Sequence, residues 1–502
     1  MTFTRSSGIL LHPTSLPSQF GIGDLGPQAY RWVDFLARSG TRLWQLLPLG
    51  PTGYADSPYQ AFSAMAGNPY LISPKLLVED GLLDQSALDH RPAFSEDQVE
   101  YGQVIPWKMD LLEQAYDNFQ KSKLLKTEFA EYQRHSDEWL PDFSLFMALK
   151  QAHNLEPWHA WPAPLRDREA VALDEVKAKY QQEINQQACY QFLFHRQWQA
   201  LRKYANGKGI QIIGDIPIYV AHDSADVWAN RELFQLNNDG RASVVAGVPP
   251  DYFSSTGQLW GNPIYRWEQH AENGFSWWRQ RIRKVLGRVD IIRLDHFRGF
   301  AGYWEVPGGN PTAKHGQWLP GPGAAIFEAL LEEFGELPLI AEDLGHITPD
   351  VTKLREQFNL PGMKIMQFGF EADRDHPFIP DNYEEHSAAY TGTHDNATIV
   401  GWYQQASDHQ KWFSKDYLQL PEDVEMPVFA KAVIKRLWDS AAVFSLAPLQ
   451  DFLALGNQAR MNYPGTTDGN WRWRAHPEAF TDDLLNQLHA LNLATNRISL
   501  NT

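Results

Sequence analysis

Residues 289–300, VDIIRLDHFRGF, join a short apolar run to an abrupt concentration of charge. The run at 289–292 contains the β-branched residues that favour a strand. Arg293, Asp295, His296 and Arg298 follow it directly. Buried strands do not ordinarily end in this way, and the pattern is typical of a strand whose carboxyl end faces a site of chemistry.

Seven comparable runs occur elsewhere in the chain, separated by amphipathic helical patterns. Together with the first they predict eight strands, at 8–13, 41–49, 210–220, 289–297, 337–344, 363–370, 388–394 and 442–449. Strands that alternate with helices form a parallel sheet, and eight such units close into a (β/α)8 TIM barrel with its working face at the carboxyl ends of the strands. The sequence therefore predicts an α/β fold with a single catalytic barrel over residues 1–502.

Two intervals between predicted strands are too long for plain loops. Residues 51–208, between strands 2 and 3, carry mostly helical patterns and predict an inserted helical subdomain. Residues 224–275, between strands 3 and 4, mix glycine, proline and serine with aromatic residues such as Tyr252 and Phe253. We expect this second insertion to supply a loop over the barrel mouth, so that large, mostly helical insertions surround the catalytic face.

The composition argues against several classes of protein. Of the 502 residues, 43% are hydrophobic and 21% are charged, which suits a chain with a large buried core. The net charge of −17 repels phosphate backbones and anionic lipids, so neither nucleic acid nor a membrane is an expected partner. The single cysteine, Cys189, and the lack of a secretion signal or a long apolar stretch predict a soluble, cytoplasmic protein. The sequence does not decide between a monomer and a homo-oligomer.

Acidic residues recur at the ends of three predicted strands. Besides Asp295, Glu342 lies at the end of the fifth run, and Asp395 follows the seventh, beside His394. Three carboxylates around one pocket repel each other, so at least one is expected to keep its proton near neutral pH. A carboxylate beside a protonated carboxylic acid is what glycoside chemistry needs. Arg293, on the same strand face as Asp295, would stabilise that carboxylate.

Other interpretations of the same residues stay open. A single Asp–Arg pair at a strand end is more often a structural salt bridge, and a Glu–Asp pair before a glycine can cap a helix. A metal-dependent barrel enzyme would use as ligands Asp295, His296, Glu342, His346, His394 and Asp395. Adjacent residues on a strand point to opposite faces, which argues against that metal site.

Eight sequence blocks carry a resemblance along nearly the whole chain. They are GILLHPTSLPS, PTGYADSPYQAFSAMAGNPYLISP, GDIPIYVAHDSADVW, GVPPDYFSSTGQLWGNPIY, RLDHFRGF, AEDLG, TGTHDN and MNYPGTTDGNWRWR. In these blocks the chain resembles the 4-α-glucanotransferases, the amylomaltase or disproportionating-enzyme family of the α-amylase superfamily. The resemblance implies transfer of an α-1,4-glucan segment to the 4-hydroxyl of glucose or another glucan, by a retaining mechanism through a covalent glucosyl-aspartate.

The resemblance also implies roles for individual residues. Asp295 of RLDHFRG would be the nucleophile, Glu342 of AEDLG the general acid and base, and Asp395 of THDN the stabiliser of the transition state. The implied substrate-binding residues are Tyr59, which would stack on a sugar ring, and Asp215, Tyr252, Phe253, Arg293, His296 and His394. Asp343 adjoins Glu342 and is expected to point elsewhere, as a structural residue.

The implied partners are α-1,4-glucans, namely maltooligosaccharides, amylose, starch or glycogen, as donor and acceptor. This chemistry needs neither a cofactor nor a metal ion. Two alternatives share the predicted cleft: a glucan hydrolase that uses water as the acceptor, and a glucan-binding protein without catalysis. The intact Asp295, Glu342 and Asp395 argue against the binding protein.

Overall fold

A computed structural model of the chain describes residues 3–250 and 254–498. The strands of these residues are β1 (Ser6–Leu10), β2 (Leu43–Gln45), β3 (Gln211–Pro217), β4 (Val244–Val248), β5 (Gln258–Pro263), β6 (Ile291–Asp295), β7 (Gly302–Pro307), β8 (Gln317–Pro320), β9 (Leu339–Ala341), β10 (Gly362–Ile365), β11 (Ser387–Tyr390) and β12 (Phe444–Pro448). Eight of them close into a barrel in the order β1-β12-β11-β10-β9-β6-β3-β2, and the neighbours that pair in it are parallel, as β3 and β6 are. The predicted (β/α)8 barrel is confirmed, and each predicted strand overlaps one barrel strand.

The helices of the same residues surround this barrel. They are α1 (Pro27–Ser39), α2 (Pro74–Glu79), α3 (Ser86–Asp89), α4 (Tyr101–Lys121), α5 (Lys126–Arg134), α6 (Leu140–Ala152), α7 (Ala163–Arg166), α8 (Ala170–Lys179), α9 (Gln181–Gly207), α10 (Ala225–Ala229), α11 (Trp267–Glu272), α12 (Ser276–Leu286), α13 (Arg298–Ala301), α14 (Ala324–Phe334), α15 (Pro349–Gln357), α16 (Met366–Gly369), α17 (Ile399–Gln405), α18 (Asp408–Leu418), α19 (Met426–Asp439), α20 (Leu449–Phe452) and α21 (Asp482–Ala494). None of the helices in 3–250 and 254–498 has the length and apolar character needed to cross a bilayer.

Alternation along β6 determines which of its side chains face the barrel interior. Ile291 packs in a buried cluster with Ile213 of β3 and Ile340 of β9, whereas Ile292 belongs to the larger core shared with the helices. Since successive side chains on a strand point to opposite faces, Arg293 and Asp295 lie on the same inner side as Ile291. Arg293 and Asp295 therefore point into the mouth of the barrel.

The interval between β2 and β3 contains helices α2 to α9 and no strand among the named elements. The two longest helices of the described chain, α4 and α9, lie there and span 21 and 27 residues. The predicted division into a barrel with insertions at 51–208 and 224–275 stays a prediction.

The region after β3 contains more β-structure than the sequence predicts. Strands β4, β5, β7 and β8 form a second sheet in the order β5-β4-β7-β8, in which Val245 of β4 pairs antiparallel with Val306 of β7. Strands β7 and β8 come after β6, outside the predicted 224–275 insertion, so two separate chain segments build this sheet. Such long-range pairing leaves no signal in either segment alone. The predicted loop residues Tyr252 and Phe253 lie outside the described residues.

Candidate active site

The three predicted catalytic carboxyl groups all lie at the carboxyl ends of barrel strands. Asp295 is the last residue of β6, Glu342 follows β9 directly, and Asp395 lies in the loop between β11 and α17. The carboxyl ends of parallel barrel strands meet at one rim, where side chains from different strands form a common site. Asp295 and Glu342 influence each other electrostatically, and the charge of Arg293 acts on Glu342 and on Asp395.

A buried arginine connects two of the acidic residues. Nη1 of Arg293 donates to Asp215 at 2.8 and 2.7 Å and to Oδ1 of Asp295 at 2.9 Å. Burial would lower the pKa of Arg293, but Asp215 and Asp295 keep it well above its ordinary value. The side chain of Asp295 remains 27% exposed. Arg293 therefore orients a carboxylate that a ligand can still reach.

Glu342 is the carboxyl group suited to carry a proton. Its Oε2 accepts a hydrogen bond from the backbone N–H of His296 at 2.7 Å, and its Oε1 accepts one from Leu344 at 3.2 Å. Burial raises the pKa of Glu342 to about 8, the negative charge of Asp295 adds to this increase, and Arg293 opposes it. Near neutral pH Glu342 is thus protonated and lies near Asp295, which is bound by Arg293, and a retaining glycosidic mechanism requires such a proton donor beside a second carboxyl group.

The pKa of Asp395 is lowered, whereas that of Glu342 is raised. Its Oδ1 lies 3.3 Å from Nε2 of His394 and accepts a hydrogen bond from Nδ2 of Asn462 at 2.6 Å. Burial would raise the pKa of Asp395, but His394 and Asn462 lower it to about 2. In return, Asp395 raises the pKa of His394 against the effect of burial. The side chain of Asp395 is 43% exposed, so this negative charge is available to a ligand.

Tyr59 links these two groups of residues. Its hydroxyl donates to Asp215 at 2.9 Å, and its ring stacks on His394 at a centroid distance of 5.1 Å and an angle of 18°. Trp471 lies against the same two rings, 5.8 Å from Tyr59 and 5.9 Å from His394. Tyr59 lies within the site, and its predicted stacking on a sugar ring stays a prediction.

His296 follows the Asp295 carboxylate in a left-handed backbone conformation, with φ 52°. Non-glycine residues adopt this conformation at some cost, and such strain is found at functional sites. The ring of His296 makes an edge contact with Trp260 of β5 at 4.7 Å, and burial lowers its pKa to about 4. His296 therefore presents a neutral imidazole at neutral pH.

Asp343 points away from the site, as strand alternation predicts. Its Oδ1 accepts a hydrogen bond from the backbone N–H of Met363 at 2.7 Å, and its Oδ2 lies 3.2 Å from Nε of Arg355. These contacts connect the end of β9 to β10 and α15. Asp343 is a structural neighbour of Glu342.

Three residues of the site were not predicted individually from the sequence, and one of them is Trp471, which lies against Tyr59 and His394. Asn462 donates to the carboxylate of Asp395, and Arg460 donates to the main-chain oxygen of the same residue. Arg460 directly precedes the block MNYPGTTDGNWRWR at residues 461–474, which contains Asn462 and Trp471 and was the available signal. Its composition indicates a loop, but only the tertiary structure brings that loop to Asp395.

The residues proposed for a metal site make other contacts. Within 3–250 and 254–498, no group of three or more His, Cys, Asp or Glu side chains is arranged to hold a metal ion. Asp295 bonds to Arg293 instead, and Asp395 bonds to Asn462.

Known proteins share this architecture over nearly the whole chain. The family model described as 4-alpha-glucanotransferase matches residues 11–481. The 4-alpha-glucanotransferase of Thermus thermophilus is 48% identical over 507 residues, which cover 99% of this chain and 100% of the relative. Amylomaltase from Streptococcus agalactiae, solved in complex with acarbose, has a TM-score of 0.95 at 39% identity, with 99% of this chain and 100% of that chain covered. Amylomaltase from Corynebacterium glutamicum has a TM-score of 0.80 at 19% identity over 98% of this chain and 75% of that one, a likeness of fold alone.

Proposed function

The chain belongs to the 4-alpha-glucanotransferase family and is a transferase, and we propose that it works by retaining double displacement with Asp295 as the nucleophile. It would transfer a segment of an α-1,4-glucan to the 4-hydroxyl of glucose or another glucan. The main support for this mechanism is the combination of two carboxyl groups. Asp295 is bound by Arg293 and partly exposed, and the pKa of Glu342 is raised to about 8.

In the first step, a carboxylate oxygen of Asp295 attacks the anomeric carbon of the donor glucan. Glu342 donates its proton to the glycosidic oxygen as the bond from that oxygen to the anomeric carbon breaks. The shorter, reducing-end fragment leaves with the proton on its new 4-hydroxyl. The donor segment remains bound to Asp295 as a covalent glycosyl ester.

In the second step, Glu342 acts as a base. It takes the proton from the 4-hydroxyl of the acceptor while that oxygen attacks the anomeric carbon and the bond to Asp295 breaks. Two inversions at one carbon give net retention, so the new bond is again α-1,4. Glu342 regains its proton and Asp295 regains its charge, and no cofactor or metal ion enters either step.

Asp395 would stabilise the transition state. Its charge is maintained by His394 and Asn462, and its exposed carboxylate would accept hydrogen bonds from ring hydroxyls next to the reacting carbon. Positive charge that develops on the sugar ring is stabilised by such a preorganised anion. Tyr59, Asp215, Arg293, His296 and His394 would complete the binding site around that sugar.

The choice of acceptor separates this proposal from hydrolysis by the same residues. Aromatic side chains such as Trp260, beside His296, would favour a sugar over water by packing on its apolar face. The same preference is the role predicted for Tyr252 and Phe253, through the exclusion of water from the reaction.

We further propose maltooligosaccharides, amylose, starch or glycogen as donor and acceptor, and a cytoplasmic location. The acarbose complex of the Streptococcus agalactiae relative supports an oligosaccharide in the cleft. The single cysteine, which is buried, suits a reducing compartment.

Timed chromatography of the products from maltotriose tests this mechanism, with Glu342→Gln as the control. We expect glucose together with a ladder of longer maltooligosaccharides from the native protein and no products from the variant. Shorter sugars alone would assign water as the acceptor. A fully active Glu342→Gln variant would overturn the assignment of the general acid.

A further inference from the structure

The loop that carries Asp395 has little regular structure of its own. It runs from Thr391, directly after β11, to the start of α17 at Ile399. His394 and Asp395 lie in its middle and make a hydrogen-bonded pair at 3.3 Å. A loop that positions a carboxylate for transition-state stabilisation must be anchored, because small shifts of such groups lower rates strongly.

One buried carboxylate binds both ends of this loop. Oδ2 of Asp451, in α20, accepts a hydrogen bond from the hydroxyl of Thr391 at 2.6 Å. Its Oδ1 accepts one from the backbone N–H of Ile399 at 2.7 Å. Asp451 is 1% exposed, while Thr391 and Ile399 are fully buried. A single side chain from α20, the short helix that follows the last barrel strand, thus joins the beginning and the end of the loop.

A carboxylate is an unfavourable group at a position as buried as that of Asp451. Burial raises the pKa of Asp451 to about 6, and its hydrogen bonds to Thr391 and Ile399 only partly offset that effect. A neutral polar residue would occupy this place more easily if filling space were the only requirement. A charged acceptor makes stronger hydrogen bonds to two donors at once.

Other contacts hold the middle of the loop. Gln367 donates to the carbonyl oxygen of Ala397 at 2.8 Å, and Oδ1 of Asn396 accepts from the backbone N–H of Thr393 at 2.9 Å. The backbone N–H of Asn462 donates to the carbonyl oxygen of His394 at 3.1 Å. These bonds shape the loop internally and tie it to its neighbours, whereas Asp451 sets the distance between its two ends.

We propose that Asp451 is a positioning residue for the reaction. It holds Thr391 and Ile399, the two ends of the loop, so that the carboxylate of Asp395 is placed where it stabilises the transition state. Asp451 would act only through the loop, without contact to the substrate. The inference rests on the proposed role of Asp395.

The test removes the hydrogen bond from Thr391 to Asp451 and keeps the shape of the side chain at position 391. Thr391→Val replaces the hydroxyl with a methyl group of similar size, and Thr391→Ser keeps the hydroxyl as the matched control. We measure kcat and KM on maltotriose, together with the melting temperature and the folded fraction. We expect Thr391→Ser to retain nearly native kcat, and Thr391→Val to lose about tenfold to a hundredfold in kcat with little change in KM.

Asp451→Asn provides a second variant that keeps an acceptor for Ile399 and removes the charge. We expect it to lower kcat as well, again with KM nearly unchanged. If Thr391→Val and Asp451→Asn lower the melting temperature but keep native kcat per folded molecule, Asp451 is only structural and the inference is wrong.

Asp395→Asn separates this inference from the proposed function. If Asp395→Asn has native kcat, the role of Asp395 fails, whatever the other variants do. If Asp395→Asn is inactive while Thr391→Val and Asp451→Asn have native kcat, the proposed function stands and only the positioning role of Asp451 is overturned.

Discussion

Raising the pH above 8 should inactivate the enzyme progressively, because Glu342 loses its proton. Glu342 must be protonated to release the leaving fragment, and its pKa is raised from 4.5 to about 8 by burial, with a further contribution from Asp295. The protonated fraction of such an acid is about 0.9 at pH 7, about 0.1 at pH 9 and about 0.01 at pH 10. We therefore expect kcat/KM to be constant below pH 7 on this account, and to fall about tenfold per pH unit above pH 8.

The assay is the initial rate of glucose release from maltotriose, at concentrations well below KM, between pH 6 and 10. A maltosyl fluoride donor serves as the internal control, because fluoride leaves without a proton from Glu342. The alkaline fall in kcat/KM should be present with maltotriose and absent with the fluoride. The same fall with both donors would show that a group other than Glu342 causes it.

A substitution outside the reacting groups extends this test. Asp343 contributes to the raised pKa of Glu342 but makes its contacts to Met363 and Arg355. Asp343→Asn should therefore shift the alkaline fall of kcat/KM to lower pH while leaving the rate at pH 6 nearly native. A shift to higher pH would mean that the charges around Glu342 are wrongly assigned.

Three further predictions concern the arginine, the stacked tyrosine and the chemistry itself. Arg293→Met leaves Asp215 and Asp295 without their shared cation and should lower the free energy of unfolding by about 3–5 kcal/mol, as measured by urea denaturation. Tyr59→Phe keeps the ring stacked on His394 and should reduce activity on maltotriose far less than Tyr59→Ala, which removes the ring. Dialysis against a chelator should leave the transfer rate unchanged.

Each of these has a clear contrary result. Native stability of Arg293→Met would mean that the two carboxyl groups do not need the cation. Equal losses in Tyr59→Phe and Tyr59→Ala would assign the effect to the hydroxyl bond with Asp215 and not to stacking. Loss of transfer on chelation, with recovery on adding a divalent metal ion, would revive the metal-dependent alternative.

Short-range patterns were sufficient for the barrel because each strand is encoded by its own run of residues. The run at 289–292 specifies its strand without reference to any other part of the chain, and the charged residues after it reveal which end faces the site. The second sheet was missed for the opposite reason, because β4 pairs with β7 across more than fifty residues. A pattern read within one segment does not report a partner in another.

Local periodicity along the chain was enough to predict the eight-strand barrel and to place Asp295, Glu342 and Asp395 at the strand ends. The protonation states of Glu342 and Asp395, in contrast, depend on how the chain folds around them. The raised pKa of Glu342 follows from burial by distant parts of the chain, and the lowered pKa of Asp395 requires Asn462 from a remote loop. Periodicity depends on near neighbours along the chain, whereas desolvation and ion pairing depend on everything within a few ångströms, whatever its place in the sequence.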